Sequence, residues 1–372
     1  MRIYYVLPSL VAGGAELRGI ERINYLSSIP GIRLKLVVLS DKIDLIKRVN
    51  KNIEVEILGL KNTHVFSKKA FFSSFFNSSI LRKSFRKFCP DVVIASLPIS
   101  HHFVRLAVLN SKKKIKVIQY HHATQYIENP INKPSQYLLH FFTRFLSSRV
   151  DDGHIFISEA VKRNIESHLS IKNGYVLYNA VKDNYKLALN RESSLNSQDF
   201  NIVIPGRLTP VKGHIPALQV CAKFISEYPK AKVWLIGEGS ERDVINKFIK
   251  TNNLETNIFL MGNMENVNLL RYLYDSNVVL IPSLSEGLGN VAIEALMMGA
   301  TVVSSDVGGL KEVINSKDIG ILYQKNNPDD LFNILERLYN QKIIFSKEDI
   351  RNSYLDRFTI EHHINKFLKI IS

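Results

Sequence analysis

The chain has 372 residues, more than one ordinary domain, and its 45% of hydrophobic residues can fill two cores. It has no run of 18 apolar residues, so we expect no segment that spans a membrane. Cys89 and Cys221 lack metal-site spacing; we expect both to be core residues of a protein in a reducing cytosol. Residues 1–185 hold 28 Lys and Arg against 13 Asp and Glu, whereas residues 186–372 hold 21 of each. The basic first half predicts a polyanionic partner, either nucleic acid or acidic lipid.

The opening segment imitates a signal peptide, with Arg2 followed by an apolar run and small residues. Pro8 and two early glycines interrupt that run, which favours a first strand and its loop. Strands and helices then alternate, which predicts an α/β fold with mostly parallel sheets. The strands predicted in the first half are 2–7, 33–39, 53–58, 91–96, 115–120, 153–157 and 174–177.

Gly13 and Gly14 follow the first strand and precede a helical pattern. Glycines at such a turn let the backbone approach a phosphate. The motif is not GxGxxG, and the second strand is followed only by Ser40 and Asp41, a weak candidate for a ribose-binding acid. A phosphate contact and a purely structural turn both remain open.

The segment 66–88 mixes phenylalanines with basic residues. On a single helix one apolar face is formed by Ile80, Leu81, Phe85 and Phe88. The basic residues gather on the opposite face, together with Phe71, Phe72, Phe75 and Phe76. This arrangement is typical of a helix lying among lipid headgroups. The residues assigned to membrane binding are Phe72, Phe75, Phe76, Arg82, Lys83, Arg86 and Lys87. The alternative is a core helix with a rotated axis or a break at its serines.

His121 and His122 follow the strand 115–120. The carboxyl end of a parallel strand is where open α/β sheets bind ligands, so a functional histidine is slightly favoured. Adjacent residues on a strand point to opposite sides, so we expect only one of the two rings to reach a site. The pairs 101–102 and 362–363 lack metal-ligand spacing and are predicted at the surface. Ser158 is explained as a helix N-cap.

The polar stretch 178–200 is predicted to separate two domains, after which a new sheet begins. The strand 201–205 is followed by Arg207, and Lys212 precedes the next helix. Two cations around a strand-to-helix loop can neutralise a diphosphate, although exposed loop cations are often incidental. The strand 232–236 ends at Gly237, again at a carboxyl end, and further strands are predicted at 257–261, 278–281 and 319–323.

The stretch 283–313 contains the most informative motif. Glu286 precedes a glycine loop, Asn290 begins an apolar-periodic helix, and Glu294 lies one turn inside that helix. The free amides of a first helical turn attract an anion, and the carboxylates can accept hydrogen bonds from hydroxyls. The pattern suits a ligand with hydroxyl groups and phosphate. An ordinary strand-loop-helix corner is the structural alternative.

Together these features resemble the retaining glycosyltransferases of family four, which have the GT-B fold. The matches are GGAE after the first strand, the histidine after a later strand, and GR followed by KG. The most specific is EGLGNVAIE at 286–294, with two glutamates separated by seven residues, followed by GGLKEVI. Leu17 departs from the arginine that is common after GGAE.

The resemblance implies two Rossmann-like domains that face each other across a cleft. Residues 1–185 would form the domain facing acceptor and membrane, with residues 358–372 crossing back onto it, and residues 186–357 would bind the nucleotide sugar. Glu286 would hold the transferred sugar, Glu294 the ribose, and His121 would contact the sugar near the reacting carbon. The donor-binding residues would be Gly13, Gly14, Arg207, Lys212, Gly237, Leu288, Gly289, Asn290 and Glu294.

The implied reaction transfers a sugar from a nucleotide diphosphate, with UDP favoured, to a lipid-linked or surface saccharide with retention of configuration. No metal, cofactor or nucleic acid is expected, and the protein would be cytoplasmic and peripheral at the inner face of the membrane. Three alternatives remain. An oxidoreductase lacks its motif, a nucleic-acid-binding protein leaves the glutamates unused, and a catalytically inactive scaffold that binds sugar nucleotides is harder to dismiss.

Overall fold

Parallel strands and their connecting helices build two separate sheets in the computed structural model. The structure describes residues 1–11, 13–61, 68–109, 115–192 and 195–372. Met1–Ala180 and Ile360–Ser372 form one unit, and Val181–Thr359 forms a second. The predicted α/β fold with parallel sheets is confirmed.

The first unit is built on a sheet that has seven strands in the described residues, with every neighbouring pair parallel. Its strands are β1 (Arg2–Leu7), β2 (Arg33–Val38), β3 (Glu54–Ile57), β4 (Val92–Ser96), β5 (Lys116–His121), β6 (Gly153–Phe156) and β7 (Gly174–Val176). Their order across the sheet is β3-β2-β1-β4-β5-β6-β7. Strand β4, with the sequence VVIAS, is buried at every position, as expected for a parallel sheet covered on both faces.

Helices of the first unit connect these strands. They are α1 (Gly14–Leu26), α2 (Lys68–Phe88), α3 (Pro98–Val108), α4 (Gln125–Glu128), α5 (Pro134–Val150) and α6 (Glu159–Glu166). One core joins three of them to the same side of the sheet: Phe85 of α2, Phe103 of α3 and Val150 of α5 belong to a single cluster with Tyr4. The N-cap prediction at α6 is confirmed, because Ser158 Oγ accepts a hydrogen bond from the Val161 N–H at 3.0 Å.

The second unit repeats the architecture with a parallel sheet of six strands in the described residues. These are β8 (Phe200–Pro205), β9 (Ala231–Ile236), β10 (Ile258–Gly262), β11 (Val278–Ile281), β12 (Val302–Ser305) and β13 (Gly320–Tyr323), in the order β10-β9-β8-β11-β12-β13. Its helices are α7 (Tyr185–Leu189), α8 (His214–Glu227), α9 (Arg242–Thr251), α10 (Asn266–Asp275), α11 (Asn290–Met297), α12 (Leu310–Val313), α13 (Pro328–Tyr339) and α14 (Lys347–Arg357).

The last helix, α15 (Ile360–Ile371), belongs to the first unit. The buried guanidinium of Arg22, on α1, donates from Nε to His363 Nε2 at 2.9 Å. It also donates to the hydroxyls of Tyr5 and Tyr120 at 2.7 and 2.9 Å, and it lies over the ring of Phe367. One arginine therefore fastens α15 to α1 and to two strands of the sheet.

Two expectations about buried and exposed side chains are wrong. Ile80 is 39% exposed, because α2 turns its serines toward the sheet and Ser84 Oγ accepts a hydrogen bond from the Tyr4 hydroxyl at 2.7 Å. Cys221 is buried as predicted, but Cys89 is only half buried. It follows the end of α2 in a left-handed conformation with φ of 53° and so lies outside the core.

The prediction that the other histidine pairs lie at the surface is also wrong. His101 and His102 are buried on α3, and His363 is buried on α15; His362 alone of these four is exposed. Each buried ring is near a polar partner: the carbonyl oxygen of Tyr120 for His101, Thr143 for His102, and Arg22 for His363. None of the described helices combines the length and apolar character needed to cross a bilayer.

Candidate active site

The loops after β8, β9 and β10 are joined by backbone hydrogen bonds at the carboxyl edge of the second sheet. The Gly206 N–H donates to the Ile236 carbonyl at 2.9 Å, and the Gly237 N–H donates to the Gly262 carbonyl at 2.9 Å. Gly237 has φ of +147°, and a Cβ there would overlap the carbonyl oxygen of Gly206. The Gly237 backbone therefore lies so close to Gly206 that only glycine fits there. This contact fixes the backbone next to Arg207, whose side chain is exposed.

Lys212 and Glu286 form an ion pair in which Nζ lies 2.5 Å from Oε2. Ser283 Oγ donates to the same carboxylate oxygen at 3.1 Å. The Leu284 N–H donates to the Val211 carbonyl at 2.8 Å, which joins the loops after β8 and β11. The side chains of Lys212 and Glu286 are 23% and 17% exposed, so the pair is largely buried but still reaches solvent.

A glycine loop leads from this ion pair to the N-terminus of α11. Leu288 is buried, and Gly289 is the N-cap residue with φ of +94° in the left-handed region. The N–H groups of the first turn, beginning at Asn290, lie at the positive end of the helix dipole. This end of α11 is suited to bind an anion.

Glu294 is the buried carboxylate of the site, with 6% exposure on α11. Asn266 Nδ2, at the start of α10, donates to its Oε1 at 3.5 Å. A carboxylate held in this way near the carboxyl ends of parallel strands can accept hydrogen bonds from vicinal hydroxyls. The two glutamates thus differ: Glu286 is paired with a cation, and Glu294 is buried beside an amide.

The loop after β12 supports the backbone of Glu286. The Gly309 N–H donates to the Glu286 carbonyl at 3.2 Å. Gly308 has φ of +50°, and a Cβ there would overlap the same carbonyl oxygen. Two consecutive glycines therefore let this loop pack directly against the chain that carries Glu286.

Two titratable groups beside the ion pair have shifted pKa values. Burial, reinforced by the positive charge of Lys212, lowers the pKa of His214 to about 4, so the ring is neutral at pH 7. For Asp306 burial opposes ionisation, but hydrogen bonds from the Lys325 N–H and from Lys311 Nζ outweigh it and hold its pKa below the usual value. Asp306 is therefore a fixed negative charge at the end of β12.

The glycines predicted to bind the donor through the first unit lie at the N-terminus of α1. Gly13 is the N-cap residue, with an extended backbone, and Gly14 begins the helix. A Cβ on Gly13 would overlap the Glu16 carboxylate, which is buried above the turn. This carboxylate is the far end of a flexible side chain that can move aside, so the overlap does not by itself require glycine at position 13. The phosphate contact stays a prediction.

His121 is the last residue of β5 and is 4% exposed. Its ring stacks on Phe156, with 5.0 Å between ring centroids, and its Nε2 lies 3.0 Å from His154 Nδ1. His154 Nε2 in turn lies 3.5 Å from Asp151, whose carboxylate is paired with Arg105. Burial, and then the neighbouring histidines, hold the pKa of His121 well below its ordinary value, so this ring is neutral at pH 7.

His122 has a different environment. Its side chain is half buried, its ring stacks on Tyr120, and its Nε2 lies 2.8 Å from Ser96 Oγ. Burial, reinforced by the charge of Arg22, lowers its pKa to about 3. His122 is therefore also neutral at pH 7, and it is the more accessible of the two rings.

The residues predicted to bind membrane lie on α2. Phe72, Phe75 and Phe76 are exposed; Lys83, Arg86 and Lys87 are exposed on the same helix. Arg82 differs, because its guanidinium is half buried and donates to the carbonyls of Leu106 and Ala107 at the end of α3. It acts as a cap for that helix. Phe66 lies outside the described residues, and so does the side chain of Phe71.

Sequence reasoning missed the residues that hold the glutamates in place. Ser283 and Asn266 donate hydrogen bonds to them, and Gly308 gives the backbone of Glu286 its support. The two consecutive glycines at 308–309 indicate a close backbone contact from the sequence alone. No sequence pattern marks Asn266, 28 residues away, as the partner of Glu294. Within the described ranges, no group of three or more His, Cys, Asp or Glu is placed to hold a metal ion.

Two family models account for most of the chain. Glycosyltransferase family 4 matches residues 12–185, and glycosyl transferases group 1 matches residues 187–354. The chain belongs to the family-four glycosyltransferases. The Arg207, Lys212, Glu286 and Glu294 cluster lies inside the second match, and Gly13, Gly14 and His121 lie inside the first.

Similar proteins agree with this assignment. The glycosyltransferase is 30% identical, over 205 residues, to an uncharacterized glycosyltransferase of Methanocaldococcus jannaschii, covering 55% of this chain and 54% of the relative. It is 27% identical, over 205 residues and 54% of each chain, to the N-acetylgalactosamine-N,N'-diacetylbacillosaminyl-diphospho-undecaprenol 4-alpha-N-acetylgalactosaminyltransferase of Campylobacter jejuni. The matches thus span about half the length of these relatives. The crystal structure of Anabaena HepE in complex with UDP matches this chain with a TM-score of 0.80 at 18% identity. The match covers 100% of this chain and 99% of HepE, and this likeness shows the GT-B fold.

Proposed function

We propose that this glycosyltransferase moves a sugar from a UDP-sugar to a hydroxyl of a lipid-linked or surface saccharide, with retention of anomeric configuration. The observation that carries the proposal is the meeting of Lys212, Glu286 and the N-terminus of α11 at one edge of the second sheet. A UDP donor is supported by the UDP bound to Anabaena HepE. A lipid-linked acceptor is supported by the diphospho-undecaprenol in the name of the Campylobacter jejuni relative.

The main physical task is to stabilise the departing diphosphate. As the bond between the anomeric carbon and the phosphate oxygen breaks, its electron pair moves to the diphosphate, and the sugar becomes oxocarbenium-like. Arg207 would balance the new charge with paired hydrogen bonds and Lys212 as a point charge. Backbone groups would assist at Gly13, Gly14, Gly237, Leu288, Gly289 and Asn290.

The hydroxyl groups of the donor would be held by carboxylates. Glu294 would accept hydrogen bonds from the ribose, and Glu286 from the transferred sugar. His121 would contact the sugar near the reacting carbon as a neutral imidazole, in line with its depressed pKa. The acceptor oxygen would bond to the anomeric carbon on the face that the diphosphate leaves, while a donor phosphate oxygen takes the acceptor proton. No protein base and no metal ion would be required.

Donor binding would rearrange the ion pair. Lys212 Nζ would turn from Glu286 to the diphosphate, which frees the carboxylate for sugar hydroxyls. In this exchange Lys212 gains the anionic diphosphate as its partner, and the Glu286 carboxylate accepts hydrogen bonds from neutral hydroxyls in place of the ammonium. The reaction would take place at the cytoplasmic face of the membrane, where lipid-linked acceptors are exposed.

Calorimetric titration with UDP, GDP and a panel of their sugars tests the donor assignment. We expect UDP and one UDP-sugar to bind, and turnover once a lipid-linked saccharide is supplied. The anomeric proton couplings of the product, followed by NMR from the first minutes, test retention. Inversion would contradict the mechanism. Tight binding without turnover on any acceptor of a broad panel would favour an inactive scaffold that binds sugar nucleotides.

A further inference from the structure

Helix α5 exposes an aromatic face that the sequence analysis did not identify. Five large apolar side chains are between 41% and 64% exposed: Tyr137, Leu138, Phe141, Phe142 and Phe145. At 100° per residue they occupy an arc of about 140°. Leu146 and Val150 lie on the opposite side and are buried against the unit. The inner face of α5 is therefore buried, and its outer face exposes large apolar side chains.

A second aromatic group lies on the same side of the first sheet. Phe72, Phe75 and Phe76 of α2 are 61%, 45% and 82% exposed. Helices α2 and α5 belong to one face, because both contribute to the core cluster with Tyr4. Each ends within four residues of the start of the strand that follows it, at the amino edge of the sheet. Their N-terminal halves, which carry most of these aromatic residues, therefore lie toward the carboxyl edge.

The charged side chains that α2 and α5 themselves carry are of one sign. Neither α2 nor α5 contains an Asp or Glu. Among the side chains of the two helices that the structure describes, the exposed cations are Lys69, Lys83, Arg86, Lys87, Arg144 and Arg149. The Arg149 guanidinium lies 4.1 Å from the centroid of the Phe145 ring, so a cation accompanies the apolar face of α5 itself.

We propose that this aromatic platform, defined as Phe72, Phe75, Phe76, Tyr137, Leu138, Phe141, Phe142 and Phe145, docks the first unit on an anionic lipid bilayer. Charge complementarity selects this occupant: the cations of two helices that contain no Asp or Glu attract anionic headgroups, and exposed aromatic side chains enter the headgroup and acyl boundary. Helix α5 supplies the larger insertion and α2 the second contact. Both helices would lie in the interface plane, because their inner faces pack against the core of the first unit.

Vesicle sedimentation tests the platform without nucleotide, so its outcome is separate from that of the proposed transfer reaction. The variant Leu138→Ser/Phe141→Ser/Phe145→Ser removes three exposed side chains of α5. Its matched control, Leu187→Ser/Val244→Ser/Ile344→Ser, removes three exposed apolar side chains of the second unit. On vesicles of phosphatidylcholine and phosphatidylglycerol we expect the α5 variant to lose at least about tenfold in binding, and the control to bind like wild type. Equal binding by all three proteins would overturn the proposal.

Insertion is distinguished from charge attraction by fluorescence. In a Phe141→Trp variant the new indole should shift its emission to the blue and be quenched by brominated lipid in anionic vesicles. A Val244→Trp variant is the control on α9. An unchanged emission from position 141 in vesicle-bound protein would overturn insertion by α5. This single change at a 64% exposed position also covers the case in which the triple variant does not fold.

A second copy of the chain is the competing occupant of the platform. Sedimentation equilibrium of wild type and Phe141→Ser decides between the two. If wild type and Phe141→Ser are both monomers, the result supports docking on a bilayer. A wild-type dimer that dissociates in the variant, and that does not bind anionic vesicles, would show that the platform is a protein interface and overturn the proposal.

Discussion

Lys212 Nζ lies 2.5 Å from Glu286 Oε2, across 74 positions of sequence. The cation proposed for the donor diphosphate is thus held by the carboxylate proposed for the transferred sugar. Each charge keeps the other in place, and Ser283 fixes the orientation of the carboxylate. A ligand that offers a diphosphate and a hydroxyl together satisfies both partners at once, whereas an isolated phosphate or sugar satisfies one.

The first prediction concerns the two cations. Arg207→Ala and Lys212→Ala should each lower kcat/KM. The decrease should correspond to about 2–4 kcal/mol of lost transition-state stabilisation, the range for loss of one preorganised charge donor. Loss of Arg207 should change folding little, since its side chain is exposed. Lys212 ends the short 3-10 helix Pro210–Lys212 and is partly buried, so the folding of its variant is checked by circular dichroism. Lys247→Ala, on the exposed side of α9, is the control for lost positive charge and should keep full activity. Wild-type kcat/KM in either folded site variant would refute the diphosphate assignment.

The second prediction separates the two glutamates. Glu286→Gln should reduce kcat more than the affinity for UDP, because Glu286 is assigned to the sugar. Glu294→Gln should weaken UDP binding, because the buried carboxylate is assigned to the ribose. Calorimetry with bare UDP on both variants makes the comparison. If Glu286→Gln loses UDP while Glu294→Gln retains it, the two roles are reversed.

The third prediction is that transfer proceeds in a chelator. Arg207 and Lys212 supply the positive charge that a divalent ion would otherwise bring to the diphosphate. Initial rates in EDTA should equal those in buffer with added magnesium or manganese. Activity that disappears in EDTA and returns with manganese would contradict this.

The fourth prediction is a pH dependence of stability that originates at His214. Its ordinary pKa near 6.5 falls to about 4 on burial. Above pH 6.5 the ring is neutral in both the folded and the unfolded chain. As pH falls from 6.5 toward 4, the unfolded chain binds a proton that the folded chain does not, so the free energy of unfolding decreases. At about pH 5 this amounts to roughly 2 kcal/mol.

His214→Leu removes this dependence. Its free energy of unfolding should decrease less between about pH 7.5 and pH 5 than that of wild type, by the same roughly 2 kcal/mol. Urea denaturation followed by the fluorescence of Trp234, on β9 of the same unit, measures it. His362→Leu, at an exposed position, should keep the wild-type dependence. An unaltered pH dependence in His214→Leu would show that this ring titrates normally.

The fifth prediction uses two glycines with left-handed backbones. Gly308→Ala should destabilise the fold and lower kcat, because its Cβ overlaps the Glu286 carbonyl and displaces the loop of the ion pair. Gly59→Ala is the matched control: φ is +63°, but no atom lies within 4 Å of the new Cβ. We expect about 1–2 kcal/mol of strain in the control and more in Gly308→Ala. Equal destabilisation with full activity in both would show that the contact is unimportant.

The strands were predictable because their signal is local. Runs such as VVLI at β11 bury every side chain, and the observed bounds lie within one residue of the predicted ones. Strand β12 was not predicted as a strand, because its residues lie inside the glycine-rich motif that follows Glu286. The cations, glycines and glutamates of the candidate site were also predictable. They follow strand ends or begin helices, and these positions meet at one edge of a parallel sheet.

What the sequence could not supply were contacts between distant positions. The pairing of Lys212 with Glu286 depends on the order of strands in the sheet, which no local pattern encodes. The rotation of α2 that exposes Ile80 depends on the Tyr4 hydroxyl, 80 positions away from its serine partner. On α5 the apolar run resembles a core helix, and only the surrounding structure shows that its outer face is uncovered.

The attachment of α15 by Arg22 has a consequence for biosynthesis. The first unit takes its last helix from residues that are translated after the whole second unit. At ribosomal speeds of about 5–20 residues per second, residues 1–180 wait on the order of ten seconds for α15. During that time the buried arginine lacks His363 and the ring of Phe367. We therefore expect the nascent first half to need protection from aggregation until α15 is made. A stop codon placed before residue 360 should lower yield, because the first unit then lacks α15 although its sheet is complete.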